Sequence, residues 1–403
     1  MRQTDSIGAR TAAHRKLRGL TGQQLAARAH VSYSLLSKVE AGDVPASPAF
    51  VGAVARVLGV SVAELQGQPY RGATASDDQA HAKVAELRRE LVAYNVPADE
   101  TAPQARPLDE LHAAVSAASA MRHRVDLVRL GETLPGLLGE LRAALTHASS
   151  SRDREQLHDL LAECYAAAGQ LAWKLGYPDL ATLTVDRYEW AAGRSGDPLT
   201  LAVADYLRSG ELLAAGDPDS ASRVVNAALR RIEPDLAGQP TAPTLAMWGN
   251  LHLKAGLIAA RRADASETWS HLREARTTAD RIGDDRDDYR LCFGPTNVGI
   301  WSVGLAVELA DGATAIQHAD ALRLPTSTPP ERVGHHHIDL ARGRLYHGDK
   351  QGALRSLQAA RRIAPQQTRN HPMVRETLHA LARSERRSSQ TLRSLATWVG
   401  LED

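Results

Sequence analysis

The sequence predicts an all-α protein in two parts, a small head of short helices and a long array of helix pairs. Three observations carry this. Leu20 to Gly42 reads as two short helices meeting at a tight turn. From about Leu108 onward nothing reads as strand, and Gly-Asp and Pro turns recur roughly every 35–45 residues in an Ala-, Leu- and Arg-rich chain. A chain of 403 residues is also too long for one compact core.

The head comes first. Residues 7–18 predict helix one, with Ile7, Ala13 and Leu17 inward. Thr21 caps the second helix, which buries Leu25 and Ala26. The turn is Ala29-His30-Val31. Ser32 caps the third helix, and Gly42 ends it. Val31, Leu36 and Val39 take core spacing, which leaves Tyr33, Ser34, Ser37 and Lys38 on the opposite face. A short helix with small, hydroxylated and basic residues outward fits a DNA major groove, and its first-turn amides suit a phosphate. Residues 47–58 predict helix four, with Ser47 as cap, Pro48 in the first turn, and Val51, Val54, Ala55 and Leu58 apolar. Ser61 caps a last short helix through Leu65. Gln66 to Gln79 is rich in Gly, Ser, Asp and Ala and reads as a linker. Residues 80–94 return to helix, with Val84, Leu87, Leu91 and Val92 apolar, and Pro97, Pro103 and Pro107 break it. The domains expected are therefore a head at 1–68, a linker at 69–79, a connecting helix and Pro-rich break at 80–106, and the array at 107–403.

In the array, turns fall at Gly176-Tyr177-Pro178, Gly216-Asp217-Pro218, Ala263-Asp264, Asp311-Gly312 and Gly348-Asp349. A small residue follows each: Ala181, Ala221, Ser266, Ala315 and Ala353. Small residues let paired helices approach closely. Boundaries between pairs fall at Gly196-Asp197-Pro198, Glu233-Pro234, Gly283-Asp284, Leu324-Pro325 and Ala364-Pro365.

The net charge of +1 excludes nothing, but its distribution is informative. Residues 1–70 carry eight Lys/Arg and four acids, a balance of +4. The remaining 40 basic and 43 acidic residues sum to −3. A basic head suits a few phosphate contacts. Two distant cysteines, Cys164 and Cys292, give no disulfide framework and read as small buried residues. No 18-residue apolar run and no signal segment stand out, so a cytoplasmic protein without membrane contact is expected.

Residues 7–66 resemble the lambda-repressor/Cro-type helix-turn-helix, the XRE family. The residues that carry the likeness are Arg15-Lys16-Leu17-Arg18-Gly19-Leu20-Thr21, Gln24-Leu25-Ala26, Val31-Ser32, Leu36-Ser37-Lys38-Val39-Glu40 with Gly42, and Pro48, Ala55, Leu58-Gly59-Val60 and Leu65. The resemblance implies a five-helix head that binds DNA. It places Tyr33, Ser34 and Lys38 at base edges, Ser32 at phosphate, and Arg15 with Glu40 in a buried ion pair. Gln23 and Ser37 complete the expected DNA-binding face. Two positions depart from the pattern. The usual Gln opening the second helix is Gly22, with Gln23 beside it, and the usual turn Gly is His30. The array is similar to a degenerate tetratricopeptide superhelix, most clearly at residues 338–365. The whole chain resembles actinobacterial XRE regulators with such a C-terminal domain, through Phe293-Gly294-Pro295-Thr296-Asn297-Val298 and the tail His335 to Arg387. That likeness implies transcription regulation, sometimes of specialised metabolism.

A superhelix of this type has a concave groove suited to a peptide or small-molecule effector. Asn side chains both donate and accept, so Asn250 and Asn297 are candidate clamps, with Trp173, Tyr206, Arg208, Trp248, His252 and Trp301 as lining. The same tryptophans read equally as packing residues, and Asn297 as a cap after Pro295. His335-His336-His337 is no metal site, because consecutive helical residues point about 100° apart. Asp284-Asp285-Arg286-Asp287-Asp288 lacks the Gly and distal Glu of a Ca²⁺ loop. No phosphate loop, nucleophile elbow or His-Glu-x-x-His pair occurs, so neither enzyme chemistry, metal nor cofactor is expected.

Three readings follow. One is a homodimeric regulator on an inverted-repeat operator of double-stranded DNA, with effector binding and the twofold contact in the array or the 80–94 helix. Another is a protein-interaction adaptor, antitoxin-like or a sigma-factor partner, for which DNA is secondary. The third is regulation without an effector, which predicts a groove filled by the array's own side chains.

Overall fold

The computed structural model describes residues 6–71, 78–97, 105–384 and 389–401. Among them are 21 α-helices and no strand longer than the single bridge Arg286–Phe293. The head holds α1 (Ile7–Leu17), α2 (Gly22–Arg28), α3 (Tyr33–Ala41), α4 (Pro48–Leu58) and α5 (Val62–Gln66). Each starts at a hydroxyl cap. Ser6, Thr21, Ser32, Ser47 and Ser61 each accept from a backbone N–H three residues on. Their apolar faces meet in one core with Leu25, Leu36, Val51, Val54, Leu58 and Leu65.

Helix α1 departs from expectation. Ala13 is exposed and Leu17 is 82% exposed, while Ile7, Gly8 and Thr11 are buried. The cause is a close approach to α3, since a Cβ on Gly8 would fall 1.9 Å from the Val39 carbonyl oxygen. Only a small residue fits there, so α1 rolls and turns Leu17 to solvent.

The segment expected as a free linker is partly fixed. Tyr70 donates to the Gln66 carbonyl and lies under the Arg375 guanidinium, 3.8 Å from its ring centroid. Residues 72–77 and 98–104 lie outside the described residues. Helix α6 (Val84–Val92) buries Val84, Leu87 and Leu91 in the array's main core, while Val92 is 63% exposed. That apolar face is taken up inside the chain.

The array follows as consecutive pairs: α7 (Leu108–Arg124) with α8 (Leu127–His147), α9 (Ser151–Leu175) with α10 (Pro178–Ser195), α11 (Pro198–Ala214) with α12 (Pro218–Ile232), α13 (Ala242–Arg261) with α14 (Ala265–Ile282), α15 (Pro295–Glu308) with α16 (Gly312–Ala321), and α17 (Pro330–Tyr346) with α18 (Lys350–Ile363). Helices α19 (Pro365–Asn370), α20 (Pro372–Ser384) and α21 (Gln390–Trp398) finish it. Asp217, Asp264, Asp311 and Asp349 cap the second helices of their pairs. Four residues after each cap comes a fully buried small side chain: Ala221, Thr268, Ala315 and Ala353. The rule corrects one expectation, because Ser266 is exposed and Thr268 takes its place. One turn after the cap is the register that faces the partner helix.

The array closes on itself. Helix α7 packs on α17, and the Gln366 side-chain oxygen accepts from the Leu127 and Val128 N–H groups at 2.8 and 3.2 Å, capping α8 from the far end of the chain. The head docks on this ring at two places. Gly52 of α4 meets Gly216 so closely that a Cβ on Gly216 would lie 2.6 Å from the Gly52 carbonyl oxygen, and Arg56 donates to the Gly216 carbonyl. On the other side, Met373 of α20 joins the head's core and the buried Glu376 carboxylate accepts from the Ala46 N–H at 2.9 Å.

Candidate nucleic-acid interface

Helix α3 presents one locked face and one open face. Inward, Leu36 and Val39 are buried. Arg15 grips Glu40 in two parallel bonds, Nε to Oε1 at 2.7 Å and Nη2 to Oε2 at 2.8 Å, and donates a third to the Leu20 carbonyl. This fork ties α1, α3 and the chain entering α2 together. The bond to Glu40 holds the Arg15 guanidinium above its ordinary range against modest burial.

Outward, Ser32, Tyr33, Ser34, Ser37 and Lys38 are all exposed. The Ser32 hydroxyl caps α3 through the Leu35 N–H at 3.1 Å, so the first-turn amides point out of the protein. Gln23 is exposed at the start of α2, while Gln24 is engaged in a reciprocal cap with Thr21. All six residues expected to touch DNA are therefore solvent-exposed. The structure also gives Gly22 a physical reason. The Tyr33 ring lies over it, and a Cβ at that position would sit 2.8 Å from a ring carbon. His30 does take the left-handed conformation at the turn, with φ 53°.

Residues 6–66 match the helix-turn-helix domain family. Neither a curated protein nor a solved structure matches the chain. The match covers the head alone. A helix-turn-helix domain supports DNA binding, and no helix among the described residues is long and apolar enough to cross a membrane.

The residues expected to line an effector groove do not form one surface. Arg208 turns to Asp186 and Glu189 of α10, at 2.6 and 2.8 Å. Trp248 donates to Glu274 of α14, and its neighbour His252 meets His271 of the same helix, with Nδ1 atoms 2.9 Å apart. These three face partner helices within or beside their own pairs. Trp301 packs half-buried in the cluster of α13 to α15. Asn250 and Asn297 are buried, and Asn297 donates to the Cys292 carbonyl at 2.6 Å. Tyr206 is buried under the Lys254 ammonium, 4.0 Å from its ring centroid. Trp173 alone among the tryptophans expected to line the groove is largely open, at 44%.

Charged groups meet where the array's helices converge. Lys174 and Glu331 form a buried ion pair at 3.0 Å between α9 and α17. Burial alone would push the Glu331 carboxyl up. Lys174, Arg332, Arg122 and His123 overcome this and hold it well below the usual carboxylate range. Arg342 pairs with Glu308 and Asp339, and Glu308 also takes Arg261. His123, Asp287 and Cys292 bring three metal-ligand atom types within 4.8 Å of one another. Guanidinium nitrogens lie 3.0 Å from the His123 Nε2 and 3.7 Å from the Asp287 carboxylate, which opposes a cation.

Proposed function

We propose that the protein is a sequence-specific DNA-binding transcription regulator. The observation that carries this reading is α3: Tyr33, Ser34, Ser37 and Lys38 stand exposed on a helix whose other face is locked by the Arg15–Glu40 fork. The basic head and the helix-turn-helix match support it. Phosphate contacts by Ser32 and the first-turn amides would set register, and Tyr33, Ser34 and Lys38 would read base edges, with Ser37 and Gln23 beside them. One head reads too few base pairs for genomic specificity, so two copies acting on an inverted repeat are part of the proposal. The array then serves as the platform that fixes the spacing of the two α3 helices. It holds the head on both sides, through Gly216 and through Met373 and Glu376. Its charged groups lie in structural pairs, which fits regulation rather than catalysis, in the cytoplasm.

The test is selection of genomic DNA fragments by the full-length protein at two salt concentrations. Recovery of an inverted repeat at both salts is expected, with half-sites a whole number of helical turns apart. Recovery of sequence-independent DNA at low salt alone would overturn the proposal.

A further inference from the structure

Between α14 and α15 the chain forms a finger. Its base is pinched by two bonds between Arg286 and Phe293, at 2.7 and 2.8 Å. Residues 287–292 project from that base to the inside of the ring. The Tyr289 hydroxyl donates to Asp197 at the head of α11, at 2.6 Å. Arg290 donates to Glu163 of α9 at 2.9 Å and to Ser116 of α7. Asp287 meets His123 of α7 at 3.1 Å. Phe293 fills the space over Gly249 of α13, where a Cβ would fall 1.9 Å from the ring. One short segment thus touches four pairs of the array, which requires that it lie across the interior.

The way the finger is held is informative. Three successive backbone carbonyls, of Arg290, Leu291 and Cys292, are bound by side-chain donors from three helices: Arg122 of α7, Arg332 of α17 and Asn297 of α15. Side chains that grip main-chain carbonyls do not depend on the identity of the residues they grip. Two acids, Glu163 and Asp197, then select an arginine and a neighbouring phenolic hydroxyl. Backbone grip plus side-chain selection is how a protein surface recognises a peptide. The finger is not at ease there. Tyr289, Arg290 and Cys292 have φ of 52°, 58° and 50°, left-handed values that non-glycine residues rarely adopt. Of the buried polar atoms of the surrounding surface, Arg332 Nε has no hydrogen-bond partner, while Glu331 Oε2 and His123 Nδ1 face each other at 3.9 Å, beyond hydrogen-bond range.

We infer that the interior surface formed by α7, α9, the start of α11, α15 and α17 is a peptide-recognition site, that the Asp287–Cys292 finger occupies it in cis, and that its partner in trans is a protein segment presenting a tyrosine followed by an arginine. The site rests on the finger's geometry alone. Its consequence for DNA rests on the regulator reading, because exchange of the finger for a partner would untie α7 from α17 and shift the ring that holds the head.

The experiment uses the full chain without DNA, so it stands apart from any failure of the regulator reading. The finger's anchors are removed by Tyr289→Phe with Arg290→Ala, and the probe is a labelled synthetic peptide with the sequence of residues 286–293. The variant is expected to bind the peptide at least about tenfold more tightly than the wild type does, and a peptide with Ala in place of its second Arg is expected to bind about tenfold more weakly. A folded variant that ignores the peptide, or binds it regardless of that Arg, overturns the proposal. Should the variant not fold, hydrogen exchange on the wild type decides. Finger amides that open ahead of those in α13 and α15 support a displaceable occupant. Finger amides that open only with that core make it a structural plug and overturn the proposal.

Discussion

The head and the array use polar side chains in opposite ways. On α3 the residues with chemistry face solvent, and a single ion pair, 16% exposed on each side, braces the helix from behind. In the array one set of charged residues turns inward, and Lys174, Glu331, Arg332, Glu308 and Arg342 sit where the pairs converge. The head's open face is built from groups that contribute little to its folding. The array's interior is built on groups largely removed from solvent, Lys174 and Glu331 each 9% exposed. Each prediction below tests one side of that contrast.

The largest effect belongs to the array's interior. Lys174→Met takes from the buried Glu331 its closest cation and should cost about 3–5 kcal/mol of stability in denaturant unfolding. Pairing it with Glu331→Leu should recover much of that loss, because desolvation of both charges is removed together. Arg15→Ala in the head breaks a bonded but partly solvated pair and should cost less, about 1–3 kcal/mol. If Arg15→Ala proves the costlier change, the contrast between the two regions fails.

The head's open face should show the reverse, a loss of function with no loss of stability. Ser34→Ala with Lys38→Ala should erase preference for a selected operator, each contact being worth about 1–3 kcal/mol of binding. The melting temperature should stay within a degree or so of wild type, since neither side chain is buried. Retained operator preference in the double variant would mean that another surface reads the DNA.

These two results would also mark where the sequence was legible. The caps of the head were, because a Ser or Thr accepting from an amide three residues on is a local event: Thr21, Ser32, Ser47 and Ser61 all act this way. The exposed face of α3 was legible for the same reason, since its pattern lies within nine residues. Facts set by distant partners were not. Leu17 points outward because Gly8 meets α3, and no pattern within α1 records that. Gln366 caps α8 across 239 residues, and without that closure the ring interior looks like an open groove. Asn297, Tyr206 and Arg208 were read as lining of such a groove and instead hold the finger, pack under Lys254 and pair with α10. The Asp287–Cys292 segment carried no signal beyond its charge, which by itself indicates only a loop.

Acid should separate the regions next. Burial lowers His336 to about 4 and His252 to about 3, and holds His371 well below its ordinary value, all within the array. A folded-state value below the unfolded 6.5 means stability that is present above pH 6.5 and lost as pH falls toward the folded value. At pH 5 His336 alone should cost about 2 kcal/mol. Glu331, held low, adds loss in the same direction at lower pH. Glu376, raised chiefly by burial, has the opposite sign: its contribution is present below the unfolded value of 4.5 and lost as pH rises through its raised one. The seam between head and array should therefore tolerate acid better than the ring's interior. Thermal melts of wild type and His336→Asn at pH 7 and pH 5 check this. An unchanged loss in the variant would remove His336 from the account.

The smallest effect concerns the turn between α2 and α3. His30 sits at φ 53°, a conformation that costs a non-glycine residue roughly 1 kcal/mol. Ala263 and Ala310 hold the same conformation at turns of the array, with φ 59° and 58°. Replacing any of them with Gly relieves that strain but loosens the unfolded chain, so the net gain should be below about 1 kcal/mol. In the array, Ala263→Gly should show this gain, because its methyl group is exposed. In the head, His30 also puts an imidazole next to the first turn of the reading helix, on the exposed side. If that ring serves only the turn, His30→Gly should stabilise the head as Ala263→Gly stabilises the array and leave DNA affinity unchanged. If His30→Gly stabilises the head yet weakens DNA binding, the departure from glycine at this turn belongs to recognition, and the head's open face extends one residue beyond α3.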